Sequence, residues 1–564
     1  MSSLLIGAIV VAWLLGGYRG YGRLIARRLI SPSDARVPPS IARRDGIDYD
    51  PAPAPVLFGH HFSSIAGAGP IIGPLLGVLT FGWLPSLIWI CLGSVFVGAV
   101  HDYVALMASV RSDGVSVGRI AQDRLGRRAR VVLSAFLWLA LVLVVAVFGV
   151  VTAQTLVEEP AIVLPTFGLL PVAMLFGRAV RARLAPLWLA TAACLALLAA
   201  LIVAGQALPV RLPDGAAGLS APQFWFWALM LYCLFASTLP VWLLLQPRDY
   251  LSTWILYLGV GGGFLGLLAA HPAVHSPAWV GFRSATQGPL WPMMFVMIAC
   301  GAVSGFHSLV AGGTTSKQLA RESDGLRIGY GAMVLEAALA ALVVLIAAGT
   351  LPWDAAPEPA PGSLQHLMGP GGGPIIAFAN GFGRLIDALP LLGARAGMFF
   401  GMLMLNAFVI TTLDTSTRLA RFIVQELAGP VPFVGNRWGA TLLTIAAAAW
   451  LGASDSYRVI WPVFGATNQL VAALALIVVS AWLVGVGRPR LLTLVPALFM
   501  LLTSVGALAW QGAGFLRQGK IVLAAVAFGL VALAGFVAWE ARGLGRCAVA
   551  PATPLDVAPG EKPW

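Results

Sequence analysis

Residues 57–74 read LFGHHFSSIAGAGPIIGP. His60 and His61 are adjacent, Ser63 and Ser64 follow, and then come Gly67, Gly69, Pro70, Gly73 and Pro74, all in an otherwise apolar run. Histidine titrates near pH 6.5 when unperturbed, so it can take up and release a proton under physiological conditions. Glycine and proline interrupt helices and leave backbone N–H and carbonyl groups free to bind a ligand. A similar mixture recurs downstream. FASTLPVWLLLQPRDYLSTW carries Ser237, Thr238 and Pro240, then Pro247, Arg248 and Asp249. ACGAVSGFHSLVAGGTTSK carries Ser304, His307, Ser308, Thr314 and Thr315. NAFVITTLDTSTR holds Asn406, Thr411, Thr412 and Asp414, and WPVFGATNQL holds Thr467, Asn468 and Gln469. Asp102 and Glu336 add two acids within apolar surroundings. The chemistry on offer is proton exchange and the binding of an ion or a carboxylate.

The elements that must position these groups are membrane helices. Hydrophobic residues make up 59% of the 564 and charged residues 10%, with a mean hydropathy of +0.87. A soluble chain carries about a quarter of its residues as charges. Apolar stretches of about 20 residues, enough to cross a bilayer, recur along the length without the alternation of a barrel. We read an all-α polytopic protein of about fifteen spans. Alternating them across the bilayer puts most of the 35 Lys and Arg on one side, including the group from Arg19 to Arg28. By the positive-inside rule that side is cytoplasmic, with the N-terminus outside and the C-terminus inside. The net charge of +12 is thus a topology signal and points to no nucleic-acid partner. The five cysteines are scattered and suggest neither a disulfide nor a metal pattern.

Polar residues inside a span are costly and need a partner or a purpose. Any single Gly or Ser there can simply let two helices approach, and adjacent His60 and His61 point to different helix faces. The argument lies in coincidence: breaks, hydroxyls and histidines gather on a few spans, while 185–205 and 521–540 carry almost none. No phosphate-cradling loop or H-E-x-x-H appears, and no G-x-S-x-G elbow is set between strand and helix, so the chain does not read as an enzyme. A Gly/Pro-broken span entering from the cytoplasm (the second) is followed five spans later by one entering from outside (the seventh). Paired interrupted spans of opposite orientation point to an inverted-repeat binding site. On this reading Gly67–Pro70 and Ser237–Pro240 are non-helical and meet at mid-membrane.

LFGHHFSSIAGAGPIIGP, LPVWLLLQPRDYLST, IACGAVSGFHSLVAGGTT, IGYGAMVLE, LDTSTRLARF and WPVFGATNQL together resemble the carbon starvation protein A family, from about residue 40 to about residue 485. The resemblance implies a secondary transporter of the bacterial cytoplasmic membrane, importing short peptides or, in some members, pyruvate with protons. It also implies a LeuT-like core of two inverted five-helix repeats. The chain is shorter than the longer members in 351–390 and after residue 510, which leaves the substrate open.

The expected organisation is a first helix and cytoplasmic linker (1–55), a transport core on spans two to eleven (56–413), peripheral helices (414–540) and a cytoplasmic tail (541–564). The expected partners are a small carboxylate or peptide, a coupling proton or sodium ion, and lipid, with no cofactor. Substrate-binding candidates are His60, His61, Ser63, Ser64, Gly67, Gly69, Ser237 and Thr238. Coupling candidates are His61, which lies nearer the break and is preferred, with His307, Glu336 and Asp102. A sodium-coupled version would use Ser304, Ser308, Thr314 and Thr315. A membrane sensor that binds a metabolite without moving it is the alternative from another class.

Overall fold

A computed structural model describes residues 2–541 apart from 213–214, 216–217, 370–371, 391, 430 and 453–456. The expected tail beyond residue 541, and Cys547 with it, lies outside the described residues. Helices dominate, because in hydrocarbon each backbone N–H must find a carbonyl within its own segment. In chain order they are α1 (Ser3–Ile30), α2 (Ala54–Ile65), α3 (Gly69–Phe81), α4 (Trp83–Val110), α5 (Arg127–Glu158) and α6 (Pro160–Arg181). There follow α7 (Leu187–Ala207), α8 (Ala221–Ala236), α9 (Leu245–Ala270), α10 (Leu290–Met297), α11 (Gly305–Gly313) and α12 (Gly331–Gly349). The last are α13 (Pro374–Ile386), α14 (Ala394–Ala428), α15 (Arg437–Gly452), α16 (Tyr457–Gly485), α17 (Leu491–Arg517) and α18 (Ile521–Ala541). Among the described residues, eleven helices are long and apolar enough to cross a membrane, or twelve if the bent pair α2 and α3 is one span. The chain is a multi-pass helical membrane protein. Three of the expected spans are shorter or interrupted: α8 and α15, of 16 residues each, and α10 with α11.

Two helices break in the middle. α2 stops at Ile65, where Ala66 leaves the helical region (φ −75°, ψ 78°). α3 restarts at Gly69 with Pro70 in its first turn, where a missing N–H costs nothing. The two halves are bent by 43°. α10 ends at Met297, and the chain stays non-helical until Ser304 (φ −123°, ψ 128°) opens α11. The breaks press on each other. A Cβ at Gly73 would lie 2.5 Å from the Met297 carbonyl oxygen, and one at Gly69 would overlap the Cys300 side chain. Only glycine permits this approach.

The break expected near Ser237–Pro240 is therefore replaced by 298–304 as the partner of the first. Residues 237–244 are indeed non-helical, but they form the connection from α8 to α9. They pack on the linker between α1 and α2: Val241 N donates to the Ile47 carbonyl at 2.9 Å and Trp242 Nε1 to the Gly46 carbonyl at 3.1 Å.

That linker crosses one end of the molecule under ionic ties. Glu322 accepts from Ser33 N at 2.9 Å and pairs with Arg111 at 2.9 Å. Asp50 pairs with Arg44 at 2.8 Å and Arg181 at 3.0 Å. Asp48 pairs with Arg418 at 2.8 Å and Arg421 at 3.1 Å, both near the end of α14. Burial raises the Asp48 carboxyl, but the Arg421 and then the Arg418 guanidinium outweigh it and hold the group below the usual carboxylate range. Removing one partner of a buried pair costs about 3–5 kcal/mol. Asp48 keeps 15% side-chain exposure, so we expect Asp48→Asn to cost about 2 kcal/mol and to lower the melting temperature in detergent by a few degrees. A depressed carboxylate contributes fully above its unfolded pKa of about 3.9 and loses its contribution as the pH falls through the lower folded value. The difference between parent and variant should accordingly hold from pH 8 to about pH 5; melting curves that coincide at pH 7 would contradict the assignment.

Candidate functional site

The first break is held from α14. Thr411 and Thr412 donate to the carbonyls of Ser63 and Ser64 at 2.6 and 3.0 Å, satisfying acceptors that the interrupted helix leaves open. Gly67 sits beneath them, where a Cβ would come within 2.8 Å of the Phe148 ring and 3.1 Å of Thr412 Oγ1. Ser63 Oγ is buried with no partner among the described residues. Gly69 lines a cavity of about 280 Å³ with Gly73, Met297, Cys300, Phe464 and Gln287, between the restarted helix α3, the second break and α16.

The second break is held from α16. Asn468 Oδ1 accepts from Phe306 N at 2.9 Å, capping α11, while its Nδ2 donates to Ser304 Oγ at 3.0 Å and to Cys300 Sγ at 3.2 Å. Gly305 lies so close to the backbone of Asn468 and Ala472 that no side chain fits. The polar content of WPVFGATNQL thus has a definite task, although the helix lies outside the span range first expected for the core.

One turn further along α11, His307 is wholly buried between two acids. Its Nδ1 lies 2.9 Å from Asp102 Oδ2 on α4 and its Nε2 3.2 Å from Glu336 Oε2 on α12. The other Asp102 oxygen is 2.8 Å from His101 Nδ1. The three coupling candidates on α4, α11 and α12 are therefore one cluster. His61 is buried too, but its Nδ1 meets a hydroxyl, Thr315 Oγ1 at 2.8 Å, and its Nε2 has no partner among the described residues. His60 engages Asp249 at 2.6 Å.

The four hydroxyls considered for sodium do not converge. Ser304 and Thr314 stand at opposite ends of α11, about 15 Å apart at 1.5 Å per residue. Ser308 donates back to the Gly305 carbonyl at 2.8 Å, and Thr314 and Thr315 serve His60 and His61 at 3.3 and 2.8 Å. Ser237 bonds Thr441 at 2.9 Å and Thr238 the Phe235 carbonyl at 2.9 Å, both in the α8–α9 connection away from the breaks. Among the described residues, no group of three His, Cys, Asp or Glu is placed to hold a metal. Sequence reasoning noted Asn468 without a role, did not name Cys300, and gave no role to Arg248, Asp249 and Asp414. All three are 0–1% exposed.

With this geometry in hand, the comparisons are decisive. The family described as Carbon starvation protein CstA matches residues 1–359 and 363–507. The chain belongs to this family. It is 32% identical to the peptide transporter CstA of Escherichia coli over 93% of this chain and 82% of that protein. It is 33% identical to the peptide transporter CstA of Mycobacterium tuberculosis, over 88% and 73%, and 30% identical to the pyruvate/proton symporter BtsT of Escherichia coli, over 90% and 81%. A manganese transporter of Eremococcus coleocola shares the fold at a TM-score of 0.52 and 13% identity, over 89% of this chain and 99% of that one. The protein is a transporter of the carbon starvation family and not an enzyme.

Asn468 is the tie that this geometry isolates. Asn468→Ala should release the start of α11 and the Cys300 thiol together. Site-resolved maleimide labelling of Cys300 is expected to rise roughly fivefold, the factor for about 1 kcal/mol of lost capping. An unchanged rate would show that the broken segment holds without Asn468.

Proposed function

We propose that this chain imports a small carboxylate, with pyruvate favoured over short peptides, together with a proton across the bacterial cytoplasmic membrane. The observation that carries the reading is the buried Asp102–His307–Glu336 cluster beside two facing helix breaks. A buried histidine between two carboxylates holds or loses a proton according to the charge brought next to it. The helices α3 and α11 both begin at the breaks, so their N-termini offer N–H groups and partial positive charge to an anion. The cavity of about 280 Å³ falls below the roughly 300–1,000 Å³ of sites for drug-sized ligands, which favours a compact metabolite. The names of the relatives, a pyruvate/proton symporter and peptide transporters, support the substrate class.

The core we propose is two inverted repeats of five spans: α2–α3, α4, α5, α6 and α9, then α10–α11, α12, α14, α15 and α16. The pair α7 and α8 is inserted, and α1, α17 and α18 are peripheral. Mirrored packing supports this register. α2 packs on α9 as α10 does on α16, α3 on α12 as α11 does on α4, and α9 on α14 as α16 does on α5, while α5 and α14 pack on each other. The offset between the broken spans is seven, because of the insertion, and the core extends through α16 instead of ending at residue 413. The N-terminus is outside and the C-terminus inside, as the arginine-rich linker argues.

Sodium coupling is the less supported reading, since the hydroxyls it would use are spread along α11. The test is Glu336→Gln in proteoliposomes. It should abolish pyruvate accumulation driven by a pH gradient, by at least about tenfold, while counterflow exchange continues. A variant that still concentrates pyruvate with the parent's pH dependence would remove this cluster from the mechanism, and accumulation that needs sodium and not a pH gradient would replace the coupling ion.

A further inference from the structure

A second buried charge cluster, unused in the scheme above, lies in the half of the protein next to the linker. Asp249, in the first turns of α9, has one oxygen 2.6 Å from His60 Nδ1 and the other 3.0 Å from Arg248 Nε. Arg248 also grips both oxygens of Asp414 on α14, one at 3.0 Å. Tyr232 of α8 donates to Asp414 at 2.5 Å, and Ser64 donates to Asp249 at 3.3 Å. The His60, Arg248, Asp249 and Asp414 side chains are 0–1% exposed.

Arginine stays charged in proteins, so one positive charge stands against two carboxylates. Among the described residues no other cation touches either carboxylate. Of the titratable groups on the elements packed against α2, His307 and Glu336 engage each other, and His61 meets Thr315. Arg418 and Arg421 pair with Asp48, and Lys317 lies over the Phe422 ring. Tyr250 bonds Thr191, Tyr257 stacks with Phe62, Tyr330 bonds the Val95 carbonyl and Arg327 is exposed. A bare buried charge is strongly disfavoured, and one proton on the His60–Asp249 pair would make this contact group neutral.

We propose that the His60–Asp249 pair is a second proton site, which holds its proton while α2 is docked on α9 and α14 and gives it up to the cytoplasm when α2 undocks. The site closes the linker side of the first break, whereas the cavity lies against α3 beyond the break. Undocking would hydrate His60 and Asp249 and remove the reason for the shared proton. Opening on the cytoplasmic side is thereby linked to proton release, and acid on that side keeps α2 docked. This inference rests on the proton-coupled reading for its purpose, but its test needs no substrate.

The test is hydrogen exchange of the α2 amides, residues 54–65, in the purified full chain in nanodiscs, corrected for intrinsic exchange, from pH 6 to pH 8. The parent's protection should fall with rising pH by up to about tenfold per unit, the limit for one linked proton. Asp249→Asn and Asp414→Asn each leave Arg248 one carboxylate, so neither strands a charge, and exchange in the remaining helices reports that they fold. Both should flatten the slope, although Asp414 does not touch His60, because each cancels the excess charge. Glu336→Gln should keep it. A parent without the slope, or either aspartate variant that retains it, overturns the proposal; loss of the slope in Glu336→Gln would show that the two clusters are one site. Failure of pyruvate transport with the slope present would overturn the coupled reading and leave the proton site standing.

Discussion

The contact between the two helix breaks is what the rest of the structure depends on. Backbone groups cannot be left open to lipid, so two interruptions in the hydrocarbon region survive only by covering each other and by borrowing partners. Gly73 lets the segments meet at backbone distance and Gly69 leaves room for the Cys300 side chain. Thr411, Thr412 and Asn468 supply the hydrogen bonds that the missing turns would have made. Each tie comes from a helix far away in sequence, so the breaks also fix how α14 and α16 stand against α2 and α11. The same segments carry the histidines, and charge collects around them because a buried imidazole needs acidic or hydroxyl neighbours.

Much of this was legible in the sequence, and the exceptions have physical reasons. GAGPIIGP announced the first break because glycine and proline fall within a few residues of each other. The second was assigned to FASTLP, where Ser237, Thr238 and Pro240 look equally disruptive, but that stretch is a connection at the end of α8. The true partner holds Gly301, Ser304 and Gly305 without a proline, a pattern that helix packing alone also produces. The depth of Asp249 and Asp414 could not be read because both follow long apolar runs; span ends read from hydropathy do not give depth, and α14 continues to Ala428. Their partnership spans 166 residues through Arg248 and Asp414, beyond what local pattern can register. Asp102, His307 and Glu336 were picked singly as costly groups, and the fold brings them together.

The two clusters differ in kind. Around His307 the acids come from α4 and α12, and the histidine bridges them in the first turn of α11 after the second break. Around Asp249 an arginine has its charge divided between two carboxylates, and a histidine completes the set on the linker side. Burying this many ionisable groups is costly unless each has its partners. Such networks sit in transport pathways because a change in one member's charge alters what the others will tolerate. The strapped linker, held by Asp48, Asp50 and Glu322, ties one end each of α4, α6 and α14 to the segment that leads into α2.

The most direct measurement is substrate-driven proton movement. Proteoliposomes holding the purified chain, in sodium-free buffer at equal pH on both sides, are given external pyruvate while a pH dye follows the medium. The proton-coupled account predicts alkalinisation outside in step with pyruvate entry, abolished by a protonophore. Pyruvate entry without proton movement, or entry only after sodium is added, would contradict it.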